Sequence, residues 1–424
     1  MKILGIISEY NPFHNGHKLH ASLARERSGC DFAIALMSGN FVQRGEPAVV
    51  DKYLRTKMAL SCGFDMVFEL PVYYASASAE YFAYNAIRIL NACGIITEVA
   101  FGSETGRLEG LRETALSLLD ETEGFRTSLR AALDSGDSFP KARGKAISAA
   151  PSQPNDILAV EYLKALYKTQ SVIKPIVITR VGAGYHQTEI TGEIASATAV
   201  RRALLQQDRG RFSVSVNEPH HFTNPLTGTE VCPLPRLSSA VPEAAWSILN
   251  DAFVNGNYVR GLDAYEREFR YSLFTHPQLE AILDISEGLQ NRFLEMSGKF
   301  AKPSEIISAV KTKRYTHTRL NRAALHILLD IRRVDFEVCA SMNVPYIRVL
   351  GMKETAGPLM NALKANTSCP VVTNLAPARK MLCRDAWAML GKEIAATDIY
   401  YLGLENRKTV APGAEWREGF VVCP

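Results

Sequence analysis

Two histidines three residues apart, His14 and His17, close the string Glu9-Tyr10-Asn11-Pro12-Phe13-His14-Asn15-Gly16-His17 directly after the first apolar run of the chain. Imidazoles at that spacing share one side of a helical turn, where both can donate to the same anion. Ile3 to Ile7 reads as a buried strand, Asn11-Pro12 breaks it, and Leu19, Leu23 and Ala24 fall at helical spacing beyond Gly16. The pattern is a strand, a tight turn and a helix start. Such a start gathers unpaired backbone N–H groups and the positive end of the helix dipole, so the ligand it suits is phosphate. The chemistry expected is stabilisation of a phosphoryl group as charge builds on it.

Other polar groups also stand just after apolar runs. Strand-like stretches recur at Phe32 to Met37, Met66 to Leu70, Glu98 to Phe101 and Pro175 to Val181, with helical patterns between them. This alternation predicts crossover units and a parallel sheet covered on both faces, with ligands beyond the carboxyl ends of its strands. Gly39 to Pro47 crowds glycines and polar residues after the second strand, and Arg44 there can grip a carboxylate or phosphate bidentately. Glu69 closes the third strand and either faces the site or ends the strand. Gly102 follows the fourth and lets a ligand lie on bare backbone. Asn155, behind Pro154, is either a helix cap or a ligand contact. Arg180 precedes Gly182 and Gly184, and glycines here are costly to order for the fold alone. Ser196, Thr198 and Arg201 open a further helix and suit a second phosphate position, although Ser196 as a plain cap with Arg201 on the surface explains them too.

These motifs need a large scaffold, and 424 residues predict two or three domains. A hydrophobic content of 47% with 22% charged residues is that of a folded, soluble chain, and a net charge of +4 permits an RNA partner without demanding one. Eight scattered cysteines without a Cys-x-x-Cys pair argue for reduced thiols and against a metal site. No signal-peptide pattern and no apolar run of membrane-span length is present, so a cytoplasmic location is expected. Residues 213 to 243 are proline-rich, carry His220-His221 and read as a linker or lid. From about Glu243 the periodicity is helical. Between Lys311 and Arg333 there are seven Lys or Arg against one acid, Asp330. Lys311, Arg314, Tyr315, Thr318, Arg319 and Arg322 repeat as one helical stripe with Lys313 beside it, the footprint expected for an RNA backbone and an unstacked base.

The string Glu9 to His17, the run Gly39 to Pro47, Pro154-Asn155 and Lys311-Thr312-Lys313-Arg314-Tyr315 together resemble the bacterial tRNA(Met) cytidine acetate ligase family, within the nucleotidyltransferases that carry a His-x-Gly-His motif. The resemblance implies an α/β fold: a Rossmann-like nucleotidyltransferase domain over 1–210, a linker or lid over 211–243, and over 244–424 a mainly helical tRNA-binding domain with a small mixed C-terminal part. It implies ATP-dependent ligation of acetate, through acetyl-adenylate, to the wobble cytidine of elongator tRNA(Met), releasing AMP and pyrophosphate. His14, His17 and Arg44 would be catalytic. ATP would contact Ile7, Ser8, Glu9, Tyr10, Asn11, Pro12, Phe13, His14, Asn15, Gly16, His17, Lys18, Leu19, His20, Gly102, Asn155, Arg180, Ser196 and Thr198. RNA would contact Lys311, Lys313, Arg314, Tyr315, Arg319 and Arg322. Mg²⁺ would arrive on the ATP phosphates rather than on a protein ligand set, and the assembly would be a monomer or dimer. Two other classes stay open: an adenylyltransferase acting on a small phosphorylated acceptor, against which the additional helical half counts, and an RNA-binding module with a relic nucleotide site.

Overall fold

The opening run forms β1 (Ile3–Ser8) and leads into α1 (Asn15–Ser28) in the computed structural model, which describes residues 1–120, 123–137, 142, 144, 153–180, 195–205, 238–406 and 412–424. Next come β2 (Phe32–Ser38), the short pair β3 (Phe41–Val42) and β4 (Glu46–Pro47), α2 (Lys52–Ser61), β5 (Met66–Leu70), α3 (Val72–Ala75), α4 (Ala79–Ala92) and β6 (Glu98–Ser103). The chain continues through α5 (Leu108–Leu119), α6 (Glu123–Asp134), α7 (Pro154–Lys168), β7 (Lys174–Thr179), α8 (Ala197–Leu205) and α9 (Glu243–Val254). A helical stretch follows: α10 (Glu266–Thr275), α11 (Leu289–Ser297), α12 (Pro303–Val310), α13 (His317–Leu329) and α14 (Arg333–Ser341). It gives way to β8 (Ile347–Lys353), α15 (Gly357–Asn366), β9 (Val371–Val372), α16 (Leu375–Met381), α17 (Arg384–Leu402), α18 (Ala414–Arg417) and β10 (Val421–Cys423).

The main sheet runs β10-β8-β5-β2-β1-β6-β7, with β9 beside β8. The five strands expected from the apolar runs all pair in parallel, β1 matching Ile3 to Phe32 on one side and Leu4 to Glu98 on the other. Their uninterrupted apolar character follows from two-sided burial. Along β2, Ile34 and Leu36 enter the core shared with Phe82, Leu90 and Leu163, whereas Ala33, Ala35 and Met37 enter the core shared with Ala24, Met58, Val200 and Leu249. Burying each large side chain contributes roughly 1.5–3 kcal/mol. Helices α4 and α7 therefore cover one face, and α1, α2, α8 and α9 the other.

The C-terminal segment is not an appendage. Strand β8 lies antiparallel to β5, and β10 and β9 pair parallel with β8, so residues beyond 346 complete the sheet begun by residue 3. The apolar run Ile399 to Leu402 closes helix α17. The expected continuous basic helix is also corrected: α12 ends at Val310, and a new helix starts because the Thr316 hydroxyl accepts the Arg319 N–H at 3.2 Å. The stripe is thereby split between a connection and a helix. Most of the proposed linker (211–237), His220-His221 and Gly182 and Gly184 lie outside the described residues.

Candidate active site

Strand β1 delivers its last residues to the strand where the crossovers reverse, with β2 on one side and β6 on the other. The turn beyond it is pinned from several directions. Arg55, fully buried on α2, donates to the Glu9 carbonyl at 2.6 Å and to the Ser38 carbonyl at 3.1 Å, tying the ends of β1 and β2 together. The Asn11 side chain accepts the Val49 N–H at 2.8 Å, and Arg201 donates to the Asn11 carbonyl at 2.9 Å. Tyr10 takes a left-handed backbone (φ 47°), and its ring meets those of Phe13 and His17 at 4.7 and 4.9 Å.

His14 caps α1. Its Nδ1 accepts the Gly16 N–H at 3.1 Å, while Nδ1 of His17 accepts the His14 N–H at 3.3 Å, and the two rings stack 3.7 Å apart. Because each Nδ1 receives a backbone hydrogen, each neutral ring carries its own proton on Nε2. Burial, with Arg180 and Arg201 nearby, pushes His14 down to about 3, and burial with His14 and Arg180 beside it holds His17 well below the usual histidine range. Both rings are thus neutral donors. The expectation of unpaired amides is corrected: the Asn15 N–H reaches the Ala240 carbonyl at 2.9 Å, Gly16 bonds His14, and the His17 N–H returns to the His14 carbonyl at 2.9 Å. Imidazole Nε2–H groups, rather than backbone N–H groups, are what this helix start offers an anion.

Arginines face the same place. Arg180, following β7, and Arg201, on α8, both act electrostatically on His14 and His17, and Arg44 and Glu46 act on Arg201. Arg201 is therefore no surface residue. Ser196 is the cap of α8, its hydroxyl accepting the Ala199 N–H at 3.0 Å, and Thr198 lies 3.5 Å from the Arg201 guanidinium. Around the other strand ends, a Cβ on Gly102 would make ordinary contact with Arg180 Cγ at 3.5 Å and with His20 at 3.9 Å, which sets Gly102 between these two side chains. His20 bonds the Phe101 backbone and is pushed down to about 4 by burial and Arg180. Asn155 is not the cap of α7, which begins from Gln153. Its amide donates to Glu104, its oxygen accepts from Arg180 at 3.2 Å, and the Glu104 carboxylate takes the Asn155 and Asp156 N–H groups at 3.3 and 2.9 Å. Glu104, the residue after β6, thus does the capping, and Asn155 is left as a polar edge shared with Arg180.

Beside this cleft lies a buried ion cluster that no motif announced. Lys52 reaches Glu69 at 2.6 Å, Glu393 at 3.7 Å and also Glu415, while Arg348 donates to Glu415 at 2.9 Å. Glu69 is thereby turned into the protein. Burial and the neighbouring Glu69 raise Glu393, whereas Lys52 and Arg348 outweigh burial and hold Glu415 down. Asn40 joins the cluster by donating to Thr397 at 3.2 Å and accepting from the Lys52 N–H at 2.8 Å, which fixes the loop that carries Arg44. The sequence signal was Glu69 within the apolar run Met66–Leu70; Glu393 and Glu415 come from the far end of the chain. Among the described residues no group of three or more His, Cys, Asp or Glu could hold a metal ion.

The basic residues of the helical part are only partly exposed. Lys311, Lys313 and Arg314 stand on the connection before α13, Lys311 bonding the Thr312 carbonyl and Arg314 lying 3.5 Å from Glu287. Tyr315 is buried and donates to Glu287 at 3.1 Å, which corrects its reading as a free stacking platform. Arg319 lies over the Tyr315 ring and bonds Ser286 at 2.9 Å, and Arg322 is buried against Asp284 at 3.0 Å. These three anchor α13 to the Asp284–Gly288 loop. No described helix is long and apolar enough to cross a membrane.

Comparison with known proteins places these features in a family context. A family model described as HIGH nucleotidyl transferase matches residues 1–412. A tRNA(Met) cytidine acetate ligase of Thermoanaerobacter sp. (strain X514) is 39% identical over 96% of this chain and 96% of its own length. The protein of that name from Acetivibrio thermocellus is 36% identical over 100% of both chains. The solved structure of Thermotoga maritima TmcAL bound with alpha-thio ATP superposes with a TM-score of 0.87 at 29% identity, and its apo form with 0.89 at 30%, each covering 100% of both chains.

Proposed function

The chain belongs to the HIGH nucleotidyl transferase family, and from that premise we propose that it is a tRNA(Met) cytidine acetate ligase, which activates acetate with ATP and passes the acetyl group to N4 of the wobble cytidine of elongator tRNA(Met). The observation that carries this reading is the pair of neutral imidazoles whose Nε2–H groups lie among Arg180 and Arg201. ATP lies with its adenosine over Gly102 and beside Asn155 and Arg180, and its phosphates over His14 and His17. The relative solved with alpha-thio ATP supports that choice of nucleotide.

An acetate oxygen attacks the α-phosphorus, the α–β bridging bond breaks and pyrophosphate leaves. The negative charge gathered on the phosphorus is met by fixed donors that need no reorganisation: the two Nε2–H groups, Arg180, and Arg201 toward the leaving phosphates. Keeping both histidines neutral suits them to donation without a proton being lost. Mg²⁺, when bound with ATP, would offset charge on the phosphates, and Arg44, in the loop fixed by Asn40 and near enough to act on Arg201, would hold the carboxylate of the acid. The cytidine amine then displaces AMP from acetyl-adenylate. Lys311, Lys313, Arg314 and the outer edge of Arg319 are the cations proposed for the tRNA backbone. Incubation with ATP, labelled acetate and tRNA tests the reading: label in tRNA with release of AMP supports it, and label in a small phosphorylated acceptor, or none anywhere, refutes it.

A further inference from the structure

Acyl transfer, on the reading just proposed, leaves one proton without an owner. The lone pair of cytidine N4 is delocalised into its ring, so the nitrogen is a weak nucleophile and becomes strongly acidic only as its bond to the acetyl carbon forms. A positioned base is therefore required. The histidines cannot supply it, because both Nδ1 atoms already accept backbone hydrogens and both Nε2 atoms carry protons. Most carboxylates at this end of the sheet are also committed. Glu104 takes the α7 amides, Asp156 accepts from Ser103 and the Glu104 N–H, and Glu69 and Glu415 are sealed around Lys52.

Glu9 is different. It follows the last residue of β1, over the point where the strand order reverses, and its carbonyl is locked by Arg55 at 2.6 Å. Its Oε1 accepts the Gln43 N–H at 2.9 Å, while Oε2 has no hydrogen bond among the described residues. Its charge acts on Arg201, on the phosphate side, and on Tyr162 of α7, on the nucleotide side, which places the carboxylate between the two halves of the cleft. It also touches the loop that carries Arg44.

We infer that Glu9 is the general base of the transfer step, held by Arg55 and Gln43 with Oε2 aimed at the cytidine amine. The N4 lone pair adds to the acetyl carbonyl carbon and the N4–C bond forms. The bond from that carbon to the phosphate oxygen breaks, its electrons leave with AMP, and the N4 proton passes to Glu9 Oε2 and then to water. A carboxylate also suits recognition, since the exocyclic amine is the hydrogen-bond donor that distinguishes cytosine.

The test separates the two half-reactions in the full-length enzyme. Acetate-dependent exchange of labelled pyrophosphate into ATP reports activation, and single-turnover transfer of labelled acetyl to tRNA reports the second step. Glu9→Gln keeps an acceptor for the Gln43 N–H and is expected to lower transfer about 10²–10³-fold. Exchange should fall by less than about tenfold and tRNA affinity by less than about threefold, which also shows that the variant is folded. Glu9→Asp should fall between. Glu46→Gln, the control on the β3–β4 hairpin, should lower the two steps equally or leave both. Equal losses in both steps for Glu9→Gln, undiminished transfer, or the selective loss appearing in Glu46→Gln would overturn the assignment. Absence of acetyl transfer by the unmodified protein would instead refute the ligase reading on which it rests.

Discussion

The two histidines at the head of α1 are neutral, and this has two measurable consequences. His17→Asn places an oxygen where Nδ1 stood, so it preserves the contact with the His14 N–H, but it removes the outward donor. Unfolding stability should change by less than about 1 kcal/mol, while acetate-dependent adenylate formation falls about 10²–10³-fold. Loss of both together would make the histidine structural. The second consequence is pH dependence. A histidine whose folded pKa is depressed binds fewer protons folded than unfolded, so its stabilisation is complete above the unfolded value and is lost as the pH falls toward the folded one. With His14 at about 3 against an ordinary 6.5, stability should fall by on the order of 2 kcal/mol between about pH 6.5 and pH 5. Denaturant titrations at those pH values check this, and His14→Asn should flatten the dependence.

At the scale of elements, the Gly39–Pro47 loop is built between two partners that the sequence keeps far apart. Below it, Lys52 neutralises Glu69 and Glu415 in a site without water access, and removing one member of a buried ionic group typically costs 3–5 kcal/mol. Lys52→Met should therefore destabilise by about that amount in urea unfolding. Above it, Gly45 has φ +73°, and a Cβ there would stand 2.3 Å from the Arg322 backbone nitrogen. Gly45→Ala must strain the turn and lift α13 from the loop, so we expect about 2 kcal/mol of lost stability or more, with weaker adenylate formation through Arg44. The parallel strands, the His-x-Gly-His helix start and the Arg180 position were legible in local patterns, because hydrophobic period and turn residues are local signals. Arg55, Lys52 and the capping by Glu104 were not, because each depends on partners brought together only by the sheet. The basic stripe misled for the same reason: a helical period ran across a break that the Thr316 cap imposes, and the acids that take up Arg322 and Tyr315 lie some thirty residues earlier.

For the molecule as a whole, the two ends of the chain form one sheet and one ion cluster. Strand β8 pairs with β5, and Glu393 and Glu415 complete the surroundings of Lys52, so the first 210 residues alone lack an edge partner for β5 and keep only Glu69 beside Lys52. A fragment of residues 1–210 should show no cooperative unfolding transition by circular dichroism, whereas the full chain should show one. Continuity also bears on function, because the helix that carries Arg319 rests on the loop that carries Arg44, which puts the proposed RNA face and the activation site on one connected body. In the proposed reaction ATP is broken between its α and β phosphates to arm a carboxylic acid at the end of β1. Exchange of labelled pyrophosphate into ATP measures this directly: exchange should require acetate and collapse in His17→Asn, whereas exchange that is absent, or that proceeds equally without acetate, rules it out.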